Sequence, residues 1–422
     1  MRVLLISANT ERMNLPPLPL GLACVAAATQ RAGHDVTLVN LMFEGDARSA
    51  LRRSIAGFCP DVIGVSVRNI DDQNIADPNF LLAPVRELTA ECRGACDAPI
   101  VLGGAGYSIF PERCLHYLGA DVGIQGEGES VFPTMLERMA RGAPLLELPG
   151  VCLPGQGPAA RSLVRNLDSL PLPEPGLWIP AGSGGGDLWV PVQTRRGCPM
   201  NCTYCSTPII EGRPIRRHSA EVIAAWLTEL ARAGHRKFNF VDNTFNLPPS
   251  YAEDLCRRII QADIAIDWWC IVYPKWVDRR LVTLMAQAGC RQVSLGFESG
   301  SNRILKLLGK RFTSDDVRAV SKMLQDAGIE RRGFLLLGGP GETKQTVEES
   351  LSFADTLNLD FLKVTVGLRI YPQTQLAARA LAEGLIRADD DLLLPRFYLT
   401  PELRDWLPAQ VAAYRASRSW VV

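Results

Sequence analysis

Cys198-Pro199-Met200-Asn201-Cys202-Thr203-Tyr204-Cys205 places three cysteines within eight residues, with three and then two residues between them and an aromatic before the third. Thiolates at this spacing on one irregular loop can reach three corners of a cubane iron–sulfur cluster. A four-iron cluster usually takes four cysteines, so three leave one iron free to bind something besides the protein. Two plainer explanations compete. Structural zinc wants a fourth ligand; the nearest candidates are His218 and the more distant Cys256, and there is no second Cys-x-x-Cys unit. Unliganded thiols fit poorly with Arg195, Arg196 and Gly197 leading into the loop, an electropositive setting that favours thiolate.

The rest of the 422-residue chain sets bounds on what surrounds this loop. Its length suggests two or three domains with ample core. Hydrophobic residues make up 47% and charged residues 21%, the composition of an ordinary globular protein. Lys+Arg and Asp+Glu balance at 45 each, so bulk charge argues for neither a nucleic-acid nor a membrane partner. Met1-Arg2 runs straight into the strand-like Val3-Leu4-Leu5-Ile6 with no secretory signal, and no apolar run approaches the roughly 18 to 20 residues that span a bilayer. The cytoplasm is the expected compartment, where clustered cysteines indicate metal ligands before disulfides. The other nine cysteines are scattered and mostly suit small core positions.

The spacing of Cys198, Cys202 and Cys205, with Tyr204 before the last, resembles the signature of the radical SAM superfamily. That resemblance implies a [4Fe-4S] cluster whose unique iron holds S-adenosylmethionine (SAM). From residue 189 strands and helices alternate. Strands are expected at 190–194, 237–241, 266–272, 292–297, 333–337 and 362–368, with helices between them. The fold class is α/β, and this run suits a partial (β/α)6 barrel whose site lies at the strands' carboxyl ends. The cysteine loop follows the first strand. Asp242, Asn243 and Thr244 end the second strand with polar groups suited to an amino acid's ammonium and carboxylate; helix capping is the alternative. They occupy the place of the family's methionine-binding segment, with Asp-Asn-Thr in place of Gly-Gly-Glu. Glu298-Ser299 ends the fourth strand, and Glu298 looks like a ribose-hydroxyl ligand. The segment 333–343, with Leu337 at its turn, resembles the family's adenine-packing strand, and Tyr204 would face the adenine edge. Arg369 and Lys363 are candidates for a carboxylate of SAM or substrate, with surface pairing as the alternative.

Upstream, strands that are apolar throughout alternate with amphipathic helices across residues 1–143, the pattern of a doubly wound parallel sheet of about five strands. Such sheets bind ligands beyond the carboxyl ends of their strands. There lie Ser66 and Arg68 after the third strand, Gly103, Gly104, Gly106 and Tyr107 after the fourth, and Gly126, Glu127 and Gly128 after the fifth. Neither glycine loop is the first βα turn, which disfavours a nicotinamide fingerprint. Pro16-Pro17-Leu18-Pro19-Leu20-Gly21-Leu22, the alanine-rich helix after it and the two glycine segments resemble the cobalamin (B12)-binding domain that precedes the radical SAM core in one large subgroup. On that resemblance the rim residues just named are the expected cobalamin contacts. The Asp-x-His-x-x-Gly motif that supplies an axial histidine in many cobalamin proteins is missing, as it is from many members of that subgroup.

Residues 144–186, rich in proline and glycine and including Gly182-Ser183-Gly184-Gly185-Gly186, suit an extended linker. Domain boundaries are therefore expected at 1–143, 144–186, 187–376 and 377–422, the last closing the barrel's open side. The resemblance implies reductive cleavage of SAM to a 5′-deoxyadenosyl radical and C-methylation of a small molecule through cobalamin, with an external one-electron donor such as flavodoxin or ferredoxin. A non-methylating radical SAM enzyme with a vestigial upstream domain, and a cobalamin or metal sensor, are the alternatives. A tRNA-methylthiolating enzyme is disfavoured, since there is no second cysteine triad upstream and no basic C-terminal module.

Overall fold

The computed structural model describes residues 1–11, 18–180 and 188–422. Pro16-Pro17 and the glycine run at 182–186 lie outside the described residues. The chain forms two compact units, one of Met1–Asp72, Asn79–Leu188 and Thr207–Gly212, the other of Gln73–Pro78, Trp189–Ser206 and Arg213–Val422.

In the first unit the order is β1 (Arg2–Ser7), α1 (Leu20–Arg31), β2 (Asp35–Asn40), α2 (Ala47–Phe58), β3 (Val62–Ser66), α3 (Leu82–Ala95), β4 (Ile100–Gly103), α4 (Ala105–Ile109), α5 (Pro111–Leu118), β5 (Val122–Ile124), α6 (Gly128–Ala140), β6 (Val151–Cys152) and α7 (Pro175–Trp178). The sheet order is β2-β1-β3-β4-β5-β6, parallel except for β6, which runs antiparallel to β5. β1 is buried on both faces, as a central strand of a helix-covered sheet must be. One face packs Leu22 and Ala26 of α1 and Phe132, Met135 and Leu136 of α6 against Val3, Leu5, Val62 and Val101. The expected parallel strands are present. The sixth comes from the segment expected to be linker, where Ala159 N–H donates to Val151 O at 2.9 Å. Proline and glycine there concealed a short edge strand, the place where a sheet tolerates them.

The second unit contains β7 (Val190–Val192), β8 (Arg195–Arg196) and β9 (Arg216–Arg217); α8 (Thr207–Glu211), between β8 and β9 in sequence, belongs to the first unit. Next come α9 (Ala220–Arg232), β10 (Lys237–Phe240), α10 (Pro249–Gln261), β11 (Asp267–Val272), α11 (Arg279–Gln287), β12 (Cys290–Glu298), α12 (Asn302–Leu307), α13 (Ser314–Asp326), β13 (Glu330–Leu337), α14 (Lys344–Thr356) and β14 (Phe361–Val366). β15 (Leu368–Arg369), α15 (Gln375–Ala382), β16 (Phe397–Tyr398) and α16 (Leu407–Ala416) complete it. Its main sheet runs β14-β13-β12-β11-β10-β7, with every pair parallel, which is a six-stranded partial barrel in sequence order. Phe240, Phe245 and Trp268 pack edge-on or tilted at 5.0 to 5.3 Å under the helices. The alternating burial of β13 sends Gly333, Leu335 and Leu337 to the helix-covered face and leaves Arg332, Phe334 and Leu336 on the open one. Residues 420–422 lie along the free edge of β14: Leu362 N–H donates to Trp420 O at 2.8 Å, Val422 N–H to Leu362 O at 2.9 Å, and Val364 N–H to Val422 O at 3.0 Å. Among the described residues no helix is long and apolar enough to cross a membrane.

Candidate active site

The cysteine loop leaves the barrel through a buried ion pair. Arg195 and Asp242 are 2% and 0% exposed, and Nε lies 3.4 Å from Oδ2. Asp242 Oδ1 accepts from the N–H groups of Thr194 at 2.7 Å and Arg195 at 3.1 Å, and Oδ2 accepts from the Thr194 hydroxyl at 2.7 Å. Burial pushes the Asp242 carboxyl up, while Arg195 and these donors pull it back. The Arg195 guanidinium also donates to Leu247 O and lies over the Tyr251 ring. Asp242 was expected among the SAM contacts; its carboxylate is wholly buried and engaged in fixing how β7 passes into the loop. Asn243 is half-buried beside it, and Thr244 is buried.

Backbone bonds pin the loop itself. Thr203 N–H donates to Leu308 O at 3.1 Å, and Thr203 O accepts from Leu376 N–H at 2.9 Å. Arg213 donates to the Asn201 side chain and, at 3.5 Å, to Met200 O. Cys198 is buried, Cys202 and Cys205 are half-buried, and none of the twelve cysteines forms a disulfide. Among the described residues no three His, Cys, Asp or Glu side chains are gathered for a single ion. Gly309 backs the loop with φ +75°, and a Cβ there would stand 2.3 Å from Asn201 O. Gly309→Ala is therefore expected to cost about 1–3 kcal/mol and to lower iron uptake by displacing the residue before Cys202. Thermal denaturation and iron content after anaerobic reconstitution check this; wild-type values for both would contradict it.

Across from the loop, β12 ends in a bulge after Gly296, and Glu298 takes φ +63°. Ser299 N–H donates to Phe297 O at 2.7 Å, so Glu298 is the centre of a tight three-residue turn, a conformation that costs a non-glycine residue of order 1 kcal/mol or more. Its Oε1 lies 3.1 Å from Lys310 Nζ, with side-chain exposures of 15% and 6%. The Lys310 ammonium stands 5.4 Å from the Tyr204 ring centroid. Burial pushes this amine down, but the Glu298 carboxylate, the Tyr204 phenol and the Cys202 thiol together outweigh it and hold the amine well above its ordinary range. Burial raises the Cys202 thiol, with Lys310 pulling it down, and burial also raises the Tyr204 phenol. Nothing in the sequence analysis singled out Lys310. Its only signal was a cation twelve residues beyond Glu298, at the far end of an intervening helix.

Two other expected SAM contacts have partners within the chain. Ser299 is fully buried, its hydroxyl 2.9 Å from that of Ser350 and accepting from Ser301 N–H. Arg369 is buried and donates to the carbonyls of Ile370, Leu392 and Leu393, tying down the segment after β14. Leu337 has a fully buried side chain, and its carbonyl accepts from Gly367 N–H at 2.7 Å. That turn is latched by Glu342, whose Oε2 accepts from the N–H groups of Gly338 and Gly339.

Glu342 is 3% exposed, and burial lifts its carboxyl to about 7 against those two donors and the nearby Arg303. A folded-state value above the unfolded one gives stability that is full below the unfolded value and lost as pH rises towards 7. Glu342→Gln should therefore gain on wild type between pH 5 and pH 8, by on the order of 3 kcal/mol at most. Chemical denaturation at the two pH values measures the difference; parallel pH dependence in the two proteins would contradict it.

On the carboxyl edge of the first unit the glycines are filled by the chain itself. Gly104 has φ +100°, and a Cβ there would stand 2.5 Å from Val67 O; at Gly106 it would meet Arg68 O at 3.0 Å. Tyr107 is fully buried, its hydroxyl over Gly123. Glu127 is buried and accepts from Val164 N–H at 2.7 Å, and Gly128 lies against Val25. Gly126 rests on the stem of Arg161, whose guanidinium donates to the carbonyls of Pro208, Ile209 and Ile210 at the end of α8. Among the rim residues expected to meet cobalamin, Gly106, Tyr107 and Glu127 are buried against the chain itself, and Gly104 and Gly128 are half-buried. Ser66, Arg68 and Gly103 stay accessible on the rim. His34 lies at the sheet's other end, its Nδ1 3.3 Å from the amine of Met1.

Comparison with known proteins agrees with both units. Residues 192–354 match the model of the radical SAM superfamily, and residues 7–136 match that of the B12 binding domain. An uncharacterized methyltransferase of Pyrococcus horikoshii is 29% identical over 400 residues, 92% of this chain and 84% of that protein. The tryptophan 2-C-methyltransferase of Streptomyces laurentii is 23% identical over 446 residues, 89% of this chain and 74% of that protein. The structure of the radical SAM methyltransferase TsrM from Kitasatospora setae, with cobalamin and a [4Fe-4S] cluster bound, superposes with a TM-score of 0.85 at 21% identity, covering 100% of this chain and 90% of that one. The chain belongs to the radical SAM superfamily, in the subgroup that carries a B12-binding domain.

Proposed function

We propose that this protein is a cobalamin-dependent radical SAM enzyme that C-methylates a small molecule. The observation that carries this is the three-cysteine loop at the carboxyl end of the first barrel strand, facing Glu298 and Lys310, in a chain that begins with a B12-binding-type sheet. The methyltransferase relatives support it. When bound, the cluster supplies one electron, SAM the hydrogen-abstracting radical and the methyl group, and cobalamin the methyl carrier.

The residues divide the work of binding and orientation. Cys198, Cys202 and Cys205 hold three corners of the cluster. Asn243 and Thr244 would offer polar groups to the methionine part of SAM, Glu298 would accept from its ribose, and Tyr204 would face the adenine. Ser66, Arg68 and Gly103 line the cobalamin rim. On the barrel's open face the Lys363 side chain has no hydrogen-bond partner among the described residues and is the neighbour of Phe334 in register, which suits an apolar substrate with an anionic group. The electron comes from an external donor such as flavodoxin or ferredoxin, and a reducing cytoplasm suits the cluster.

The test is anaerobic purification with cobalamin supplied, iron and cobalt analysis, and product mass with methyl-deuterated SAM. Bound cobalt and a product carrying the labelled methyl support methylation. Full turnover without cobalt would overturn it in favour of a non-methylating radical enzyme.

A further inference from the structure

We infer that Lys310 is a positioning residue that sets the reduction potential of the cluster held by Cys198, Cys202 and Cys205, with Glu298 as its counter-charge. This rests on the cluster assignment above and goes beyond it, since nothing in the ligand set itself requires a charged side chain nearby.

The geometry holds Lys310 firmly. Its own N–H donates to Leu305 O at 2.9 Å, closing the end of α12. The residues on either side are tied to different elements of the same barrel rim: Leu308 O accepts from Thr203 N–H at 3.1 Å, and Arg311 N–H donates to the Tyr273 hydroxyl at 2.8 Å. Gly309 lies so near the loop that a Cβ would come within 3.5 Å of Cys202 Cα. The ammonium itself is walled by the Tyr204 and Phe312 rings, at 5.4 and 5.8 Å, and meets Glu298 at 3.1 Å. A cation that is 94% enclosed cannot move away or be screened as a surface lysine would be.

The consequence is electrostatic. Reduction adds one negative charge to the cluster, and a fixed positive charge in a low-dielectric wall stabilises the reduced form. A carboxylate at the same place opposes it. Lys310 and Glu298 therefore act with opposite signs, and the potential reflects their balance.

The experiment is a redox titration followed by electron paramagnetic resonance, without SAM, on wild type, Lys310→Met, Lys310→Arg and Glu298→Gln. Lys310→Met should move the midpoint to more negative potential, Lys310→Arg should return it towards wild type, and Glu298→Gln should move it to more positive potential. A purely structural role would not give shifts of opposite sign. If Lys310→Met fails to load a cluster, Glu298→Gln decides alone. Loaded variants whose midpoints coincide with wild type, or both shift in one direction, overturn this inference and leave the cluster assignment standing. A wild-type chain without any four-iron signal overturns both.

Discussion

Cys202→Ala is expected to leave a folded chain with almost no iron and no SAM cleavage. The fold should survive because the bonds that pin the loop run through backbone atoms, Thr203 N–H to Leu308 O and Thr203 O to Leu376 N–H, and none of them uses the thiol. Cys202 is only half-buried, so losing its sulfur opens no large cavity. The cluster should go because a cubane already short of one protein ligand has only two left. The matched control is Cys256→Ala. That thiol is fully buried on α10, where burial raises it, with Cys290 adding to the rise; its loss should cost stability and leave iron unchanged. Iron content and cluster absorption after anaerobic reconstitution give both results. Iron retained in Cys202→Ala, or lost in Cys256→Ala, would reassign the metal site.

Asp242→Ala is expected to be the most destabilising substitution near the site. It leaves the Arg195 guanidinium buried without its counter-charge, and removing one partner of such a pair costs about 3–5 kcal/mol. The N–H groups of Thr194 and Arg195 lose their acceptor as well. Asp242→Asn keeps an acceptor oxygen and should lose less. Denaturant unfolding of the two variants checks the order; if Asp242→Ala unfolds with wild-type stability and loses only SAM affinity, then the carboxylate serves the cofactor and not the fold.

Asp242 also shows how far the sequence could be trusted. The alternation of apolar strands and amphipathic helices gave both sheets, because a strand covered on two faces must be apolar throughout and a helix must show its stripe. The cysteine spacing pointed to the cluster, because ligands on one short loop are local in sequence. Side-chain roles at strand ends were harder to see. Asp242 and Ser299 stand where SAM contacts were expected, yet their partners, Arg195 and Ser350, come from elsewhere in the chain and fill them. Arg369 is held by carbonyls at 392 and 393 that no periodicity foretells. Gly104 and Gly106 were expected to let a large ligand approach; the chain's own backbone at Val67 and Arg68 also lies close to them. Lys310 was invisible for the same reason: its meaning comes from Glu298 and Tyr204, which folding brings to it.

The most direct test of the whole account is an iron and sulfide count on anaerobically reconstituted protein, joined to the electron paramagnetic resonance spectrum of its reduced form with and without SAM. The account predicts about four irons per chain and a reduced-cluster signal that changes shape when SAM binds the open iron. Zinc in place of iron, or a four-iron signal indifferent to SAM, would contradict it.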